Sequence, residues 1–167
     1  MTQHNQPFGF KVQQKILAFT ATYNIFDMAT DQQVFRAKRK MFTIGKTIII
    51  EDMQGKEVVK LKANLILKNK WKIVQNGREV GMVKFPLIRF CGIKFSVELA
   101  GNEYHASDLM AYAFTARDLN NQIGFTLDRR ILTIRDTYRI DVYPPLDPIF
   151  GLAATLAVDY KFFQNRN

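Results

Sequence analysis

From Ile149 to Val158 the chain reads Ile-Phe-Gly-Leu-Ala-Ala-Thr-Leu-Ala-Val, with no polar stripe at helical spacing. Asp147 can cap the first free backbone N–H groups, and Pro148 suits the first helical position because its missing N–H had no partner there anyway. The pattern predicts a helix over about 148–160. A helix apolar all round is enclosed either by protein or by lipid. Spanning a bilayer takes about twenty apolar residues, and this run meets Asp159 and Lys161 too soon. The remaining chain must therefore wall it in.

The wall has a period. An aromatic or β-branched residue, a spacer and an aliphatic recur as Tyr23 with Ile25, Thr47 with Ile49, Trp71 with Ile73 and Phe95 with Val97, at steps of 24 residues. Looser copies follow at Tyr112 with Phe114 and Tyr138 with Ile140. Between copies lie turn-forming residues, Asp27 to Asp31, Asp52 to Gly55, Asn76-Gly77, Gly101-Asn102 and Asp118 to Asn121, with Asn-Gly the strongest hairpin signal. A second strand follows each turn: Val34 to Lys38, Val58 to Lys62, Val80 to Lys84, Tyr104 to Asp108 and Ile123 to Leu127. The regularly placed leucines of a short-repeat solenoid are absent.

Six hairpin-like units give about twelve mostly antiparallel strands, and closing such a sheet removes its edges. A ring that wide is not filled by its own side chains, so the terminal helix is expected at its centre. The predicted fold is mainly β: a closed antiparallel barrel of about twelve strands enclosing a C-terminal hydrophobic helix. A polar segment over 1–9 precedes a single domain over 10–163.

Composition agrees with one packed domain. Hydrophobic residues make up 47% of the 167, fourteen Phe stand against five Pro, and no Gly/Ser-rich break divides the chain, which excludes disorder as the main state. The N-terminus lacks the apolar run of a secretory signal. Cys91 has no partner for an internal disulfide, fits a reducing cytoplasm, and is expected to be a small buried apolar residue.

The net charge is +9, and it is uneven: residues 1–94 carry 17 basic against 6 acidic side chains, residues 95–167 only 7 against 9. A field of one sign favours an anionic partner. With Phe35, Ala37, Val59, Leu61, Gly81 and Val83 facing inward, alternation sends Arg36, Lys38, Lys60, Lys62 and Lys84 outward, and Lys70 and Lys72 flank inward Trp71 in the same way. Beside this stripe lie Lys38, Arg39 and Lys40, followed by Met41 and Phe42. The alternative is that these lysines only keep strand edges apart and the protein soluble.

Lys15-Ile16-Leu17, Tyr23-x-Ile25-x-Asp27, Phe35 with Met41-Phe42, Trp71-x-Ile73, Asp136-Thr137-Tyr138-Arg139-Ile140-Asp141, Asp147-Pro148 and Ala153 to Asp159 together resemble the LURP-one-related proteins, grouped with the tubby C-terminal domain and the phospholipid scramblases. The resemblance runs from about Phe10 to Tyr160. It implies a tubby C-terminal-like barrel of twelve strands around a buried helix. Tubby domains bind phosphoinositides and scramblases are membrane proteins, so a membrane-surface role is implied. A scramblase-type spanning tail is not expected, nor is a calcium loop of EF-hand spacing.

The expected function is thus a cytoplasmic, non-enzymatic module that binds anionic phospholipid headgroups, peripherally at the inner membrane surface, through Arg36, Lys38, Arg39, Lys40, Lys60, Lys62, Lys70, Lys72 and Lys84. A scaffold for an acidic protein partner is the alternative from another class. Nucleic acid competes for the same stripe without a recognised motif. A hydrolase would have to use His105 with Ser107 and Asp108, which lack a nucleophile elbow and a separate orienting acid. Two histidines and one cysteine do not suit a zinc site, and no phosphate loop or dinucleotide fingerprint appears, so no metal or cofactor is expected.

Overall fold

The structure, a computed structural model, describes residues 6–17, 20–40, 45–66, 69–88, 91–108, 112–129 and 137–164. These form twelve strands: β1 (Phe8–Leu17), β2 (Thr20–Asp27), β3 (Gln33–Lys40), β4 (Thr47–Glu51), β5 (Glu57–Ala63), β6 (Lys70–Gln75), β7 (Arg78–Lys84), β8 (Ile93–Leu99), β9 (Asn102–Asp108), β10 (Ala113–Asp118), β11 (Ile123–Asp128) and β12 (Thr137–Val142). Each pairs antiparallel with the next, and β1 pairs with β12 from Phe8↔Val142 to Gln13↔Thr137, which closes the barrel. Each strand thus has a paired neighbour on both sides, although β9 and β10 pair only at Arg117↔His105 and Asp118↔Tyr104.

Helix α1 (Pro148–Asp159) lies inside, followed by a π-helical turn over Tyr160–Gln164. Asp147 caps it by accepting from the Ile149 backbone N–H at 2.9 Å. Every residue from Gly151 to Asp159 is buried. Small side chains let the helix and the wall approach closely. A Cβ at Gly151 would stand 2.6 Å from both methyl carbons of Val142.

Alternation supplies the inner face: Phe10 and Val12, Tyr23 and Ile25, Val59 and Leu61, Trp71 and Ile73, Phe95 and Val97, Phe125 and Leu127, and Tyr138 and Ile140 join the helix in one core. Asn76 and Gly77 take positive φ of 49° and 75°, the two left-handed residues that a tight hairpin needs.

Two copies of the repeat depart from the inward placement of the others. In β4 the core residues are Ile48 and Ile50, not Thr47 and Ile49. Thr47 stands opposite Lys40 and Lys62, and Ile49 opposite Lys38 and Lys60, so both face outward. They are nevertheless only 6% and 5% exposed, each flanked on both neighbouring strands by a long lysine side chain. Tyr112 precedes β10 and is exposed, leaving Phe114 and Ala116 as the inner residues there.

The two ends of the barrel differ. Short turns close the end where α1 begins, at 28–32, 52–56, 76–77, 100–101 and 119–122. The strands at the other end, where α1 finishes, are separated by longer stretches of chain, of which 45–46, 64–66, 69, 85–88 and 91–92 belong to the described residues.

Candidate functional site

On the outer wall of β3 to β8 the register sets side chains in rows, because residues directly opposite one another share a face. One row runs Lys40, Thr47, Lys62, Lys72, Met82, Glu98, and a second pairs Lys70 with Lys84. Five lysines, Lys40, Lys60, Lys62, Lys70 and Lys72, surround a depression of about 470 Å³. Thr47, Ala63, Asn64, Leu65 and Met82 complete its lining. Cationic ends thus surround a partly apolar floor.

Not all of this charge is free. Lys38 pairs with Glu51 at 2.7 Å, Lys60 with Glu57 at 3.0 Å and Lys72 with Glu79 at 2.8 Å, and Lys84 pairs with Glu98. Among the described residues Arg36, Lys40, Lys62 and Lys70 have no carboxylate partner. Lys62 faces Lys72 directly, and Lys70 faces Lys84. Like charges directly opposite on a sheet destabilise it. Glu79 and Glu98 relieve one member of each pair, while Lys62 and Lys70 keep their positive charge for solvent or for an anion.

Arg39 is not on this wall. It stands opposite core residue Ile48, so alternation turns it inward, and its guanidinium lies 5.4 Å from the centre of the Tyr160 ring. Lys46 approaches the same ring at 4.8 Å. Met41 and Phe42 lie outside the described residues. Arg36, Lys38 and Lys84 face outward but do not line the depression. Sequence reasoning missed Thr47, Asn64, Leu65 and Met82, although Met82 alternates with inward Val83 and could have been placed from that.

His105 and Ser107 lie on the outer face of β9, with the His105 Nε2 3.3 Å from Glu103 Oε1. The Asp108 carboxylate accepts from the Thr115 backbone N–H at 3.1 Å. Cys91 is exposed, contrary to expectation, because it sits in the β7–β8 connector beyond the ladder. No trio of His, Cys, Asp or Glu among the described residues is placed to hold a metal ion. Nor is any described helix long and apolar enough to cross a membrane.

A second polar cluster is internal. Asp159, fully buried at the end of α1, pairs with Arg129, whose guanidinium also lies 4.5 Å from the centre of the Tyr138 ring. Burial above all, then the charges of Asp159 and Tyr23, push the Tyr138 phenol well up, against the opposing pull of Arg129. This cluster binds helix to wall, and none of its three residues lines the lysine depression.

A family model described as LURP-one-related matches residues 9–159. The uncharacterised protein YxjI of Bacillus subtilis is 22% identical over 157 residues, which is 93% of this chain and 94% of that protein. An Arabidopsis thaliana protein solved by X-ray crystallography superposes with a TM-score of 0.61 at 16% identity, over 95% of this chain and 93% of that one. At that identity the likeness speaks for the fold alone.

Proposed function

This chain belongs to the LURP-one-related family, and from that premise we propose that it is a non-enzymatic module whose five-lysine depression binds anionic phospholipid headgroups at the cytoplasmic face of a membrane. One observation carries the reading: Lys40, Lys62 and Lys70 converge on the depression without carboxylate partners among the described residues, in a sheet where two lysine pairs stand directly opposed. The surrounding Thr47 and Asn64 can hydrogen-bond phosphate oxygens, and the apolar floor accommodates the non-polar part of a headgroup. A basic residue near an anionic leaflet contributes about 1 kcal/mol, so three to five together give reversible peripheral binding.

The test is sedimentation with vesicles containing phosphatidylserine or a phosphoinositide, at low and high salt. The wild-type protein pellets with them at low salt, and binding weakens as salt screens the charges. Lys40→Glu, Lys62→Glu and Lys70→Glu together abolish it without lowering the melting temperature, since all three side chains are on the outside and two of the new carboxylates stand opposite Lys72 and Lys84. Pelleting that survives the triple substitution rejects this surface.

A further inference from the structure

The depression continues into an apolar rim. Leu65 lines it and is 57% exposed, and the adjoining Ile66 is 89% exposed. In the next connector at the same barrel end, Leu87 and Ile88 are 68% and 73% exposed. Four large aliphatic side chains in two neighbouring connectors form a group, whereas the other exposed large apolar residues, such as Leu119 and Met53, stand singly in separate turns.

Their bases are held firmly. Asn64 donates its backbone N–H to the Lys70 carbonyl at 2.9 Å and accepts from the Lys70 N–H through its side chain at 3.0 Å. Its amide donates to Asn69 Oδ1 at 3.3 Å. The Asn69 carbonyl in turn accepts from the Phe85 N–H at 2.7 Å, which ties the start of the second connector to the end of the first. Phe85 is anchored below, against Phe95 and Phe162. The aliphatic tips thus project from a hydrogen-bonded base, with Lys70 part of that base and Lys62 one strand row below.

We infer that the barrel seats on an anionic bilayer end-on, with Leu65, Ile66, Leu87 and Ile88 entering the boundary between headgroups and acyl chains while Lys62 and Lys70 sit at headgroup level. This rests on the reading of the lysine depression as an anionic-headgroup site. The choice of a bilayer follows from charge: a second copy of this chain would bring the same lysines face to face, whereas an anionic leaflet offers negative charge outside and hydrocarbon just beneath. Leu65 lies on the border, belonging to both the depression and the rim.

The experiment uses the full chain and phosphatidylcholine vesicles doped with phosphatidylserine. Changing Leu65, Ile66, Leu87 and Ile88 together to Ser lowers vesicle affinity by about tenfold or more, because apolar burial is lost while every lysine remains. In a separate Ile66→Trp variant, the added indole is quenched by brominated acyl chains, while buried Trp71 serves as the unquenched background. If the four-Ser variant binds like wild type and Ile66→Trp is not quenched, yet the lysine-to-Glu triple variant loses binding, the end-on seating is wrong and the lysine reading stands. If the wild-type protein fails to bind these vesicles, both are overturned. A melting curve for the four-Ser variant that matches wild type excludes misfolding, as expected for side chains that make little contact with the core.

Discussion

Asp159 is the one acidic residue in the enclosed helix, and it stands where the helix dipole disfavours it, near the negative end. It pairs with Arg129, which follows β11 and is mostly covered. Truncating one member of a buried ion pair typically costs about 3–5 kcal/mol because the other charge is left without compensation. Asp159→Ala should therefore lower the urea midpoint sharply, and Asp159→Leu combined with Arg129→Met should recover most of the loss. A single Ala variant as stable as wild type would mean that the pair does not hold the helix end. Tyr138 adds a pH dependence. Its folded form keeps the proton above the ordinary phenol value of about 10, so its contribution to stability is intact below that pH and is lost as the pH rises further. Urea midpoints at pH 9 and pH 11 should differ less in Tyr138→Phe than in wild type. Some slope remains, since burial and Asp118 also raise Tyr104.

At the level of elements, legibility followed the strength of the local signal. The helix start was readable because Asp147 and Pro148 have one natural use together, and Asn76-Gly77 fixed a hairpin for the same reason. The strands of β5 and β6 were readable with their faces, since Val59, Leu61, Trp71 and Ile73 alternate with lysines. β4 was not. Thr47-Ile48-Ile49-Ile50 is four β-branched residues in a row, which specifies a strand but says nothing about which side faces in, and a shift of one residue exchanges the faces. The deciding information was the pairing of Lys40 and Lys62 with Thr47, a long-range fact. Arg39 shows the opposite failure. Alternation between Lys38 and Lys40 pointed it inward, but grouping three adjacent basic residues by charge hid that. The depression itself was beyond the sequence, because it needs Leu65 and Asn64 from a connector to lie over a row assembled from five strands.

For the whole molecule, stability and surface are separable to an unusual degree, because the helix fills the barrel and no outer side chain is needed to complete the core. The Phe, Trp and Tyr side chains of the wall pack against α1 and against one another, with Trp71 5.4 Å from Tyr160 and Phe95 4.9 Å from Phe114 between ring centres. A twelve-stranded ring without that helix would enclose a space lined by apolar side chains that its own strands do not fill. A chain ending at Tyr143 should therefore lose its unique packing: the near-UV signal of Trp71 disappears, a hydrophobic dye binds, and unfolding in urea becomes broad, while far-UV strand signal persists in part. Full retention of the near-UV signal and of a sharp transition would mean that the barrel stands without its filler. Reversing three outer lysines does not lower the melting temperature if the core alone sets stability, and removing one internal helix destroys packing throughout. Such a barrel is free to vary its outer wall and connectors, and the lysine rows and aliphatic rim lie in those parts.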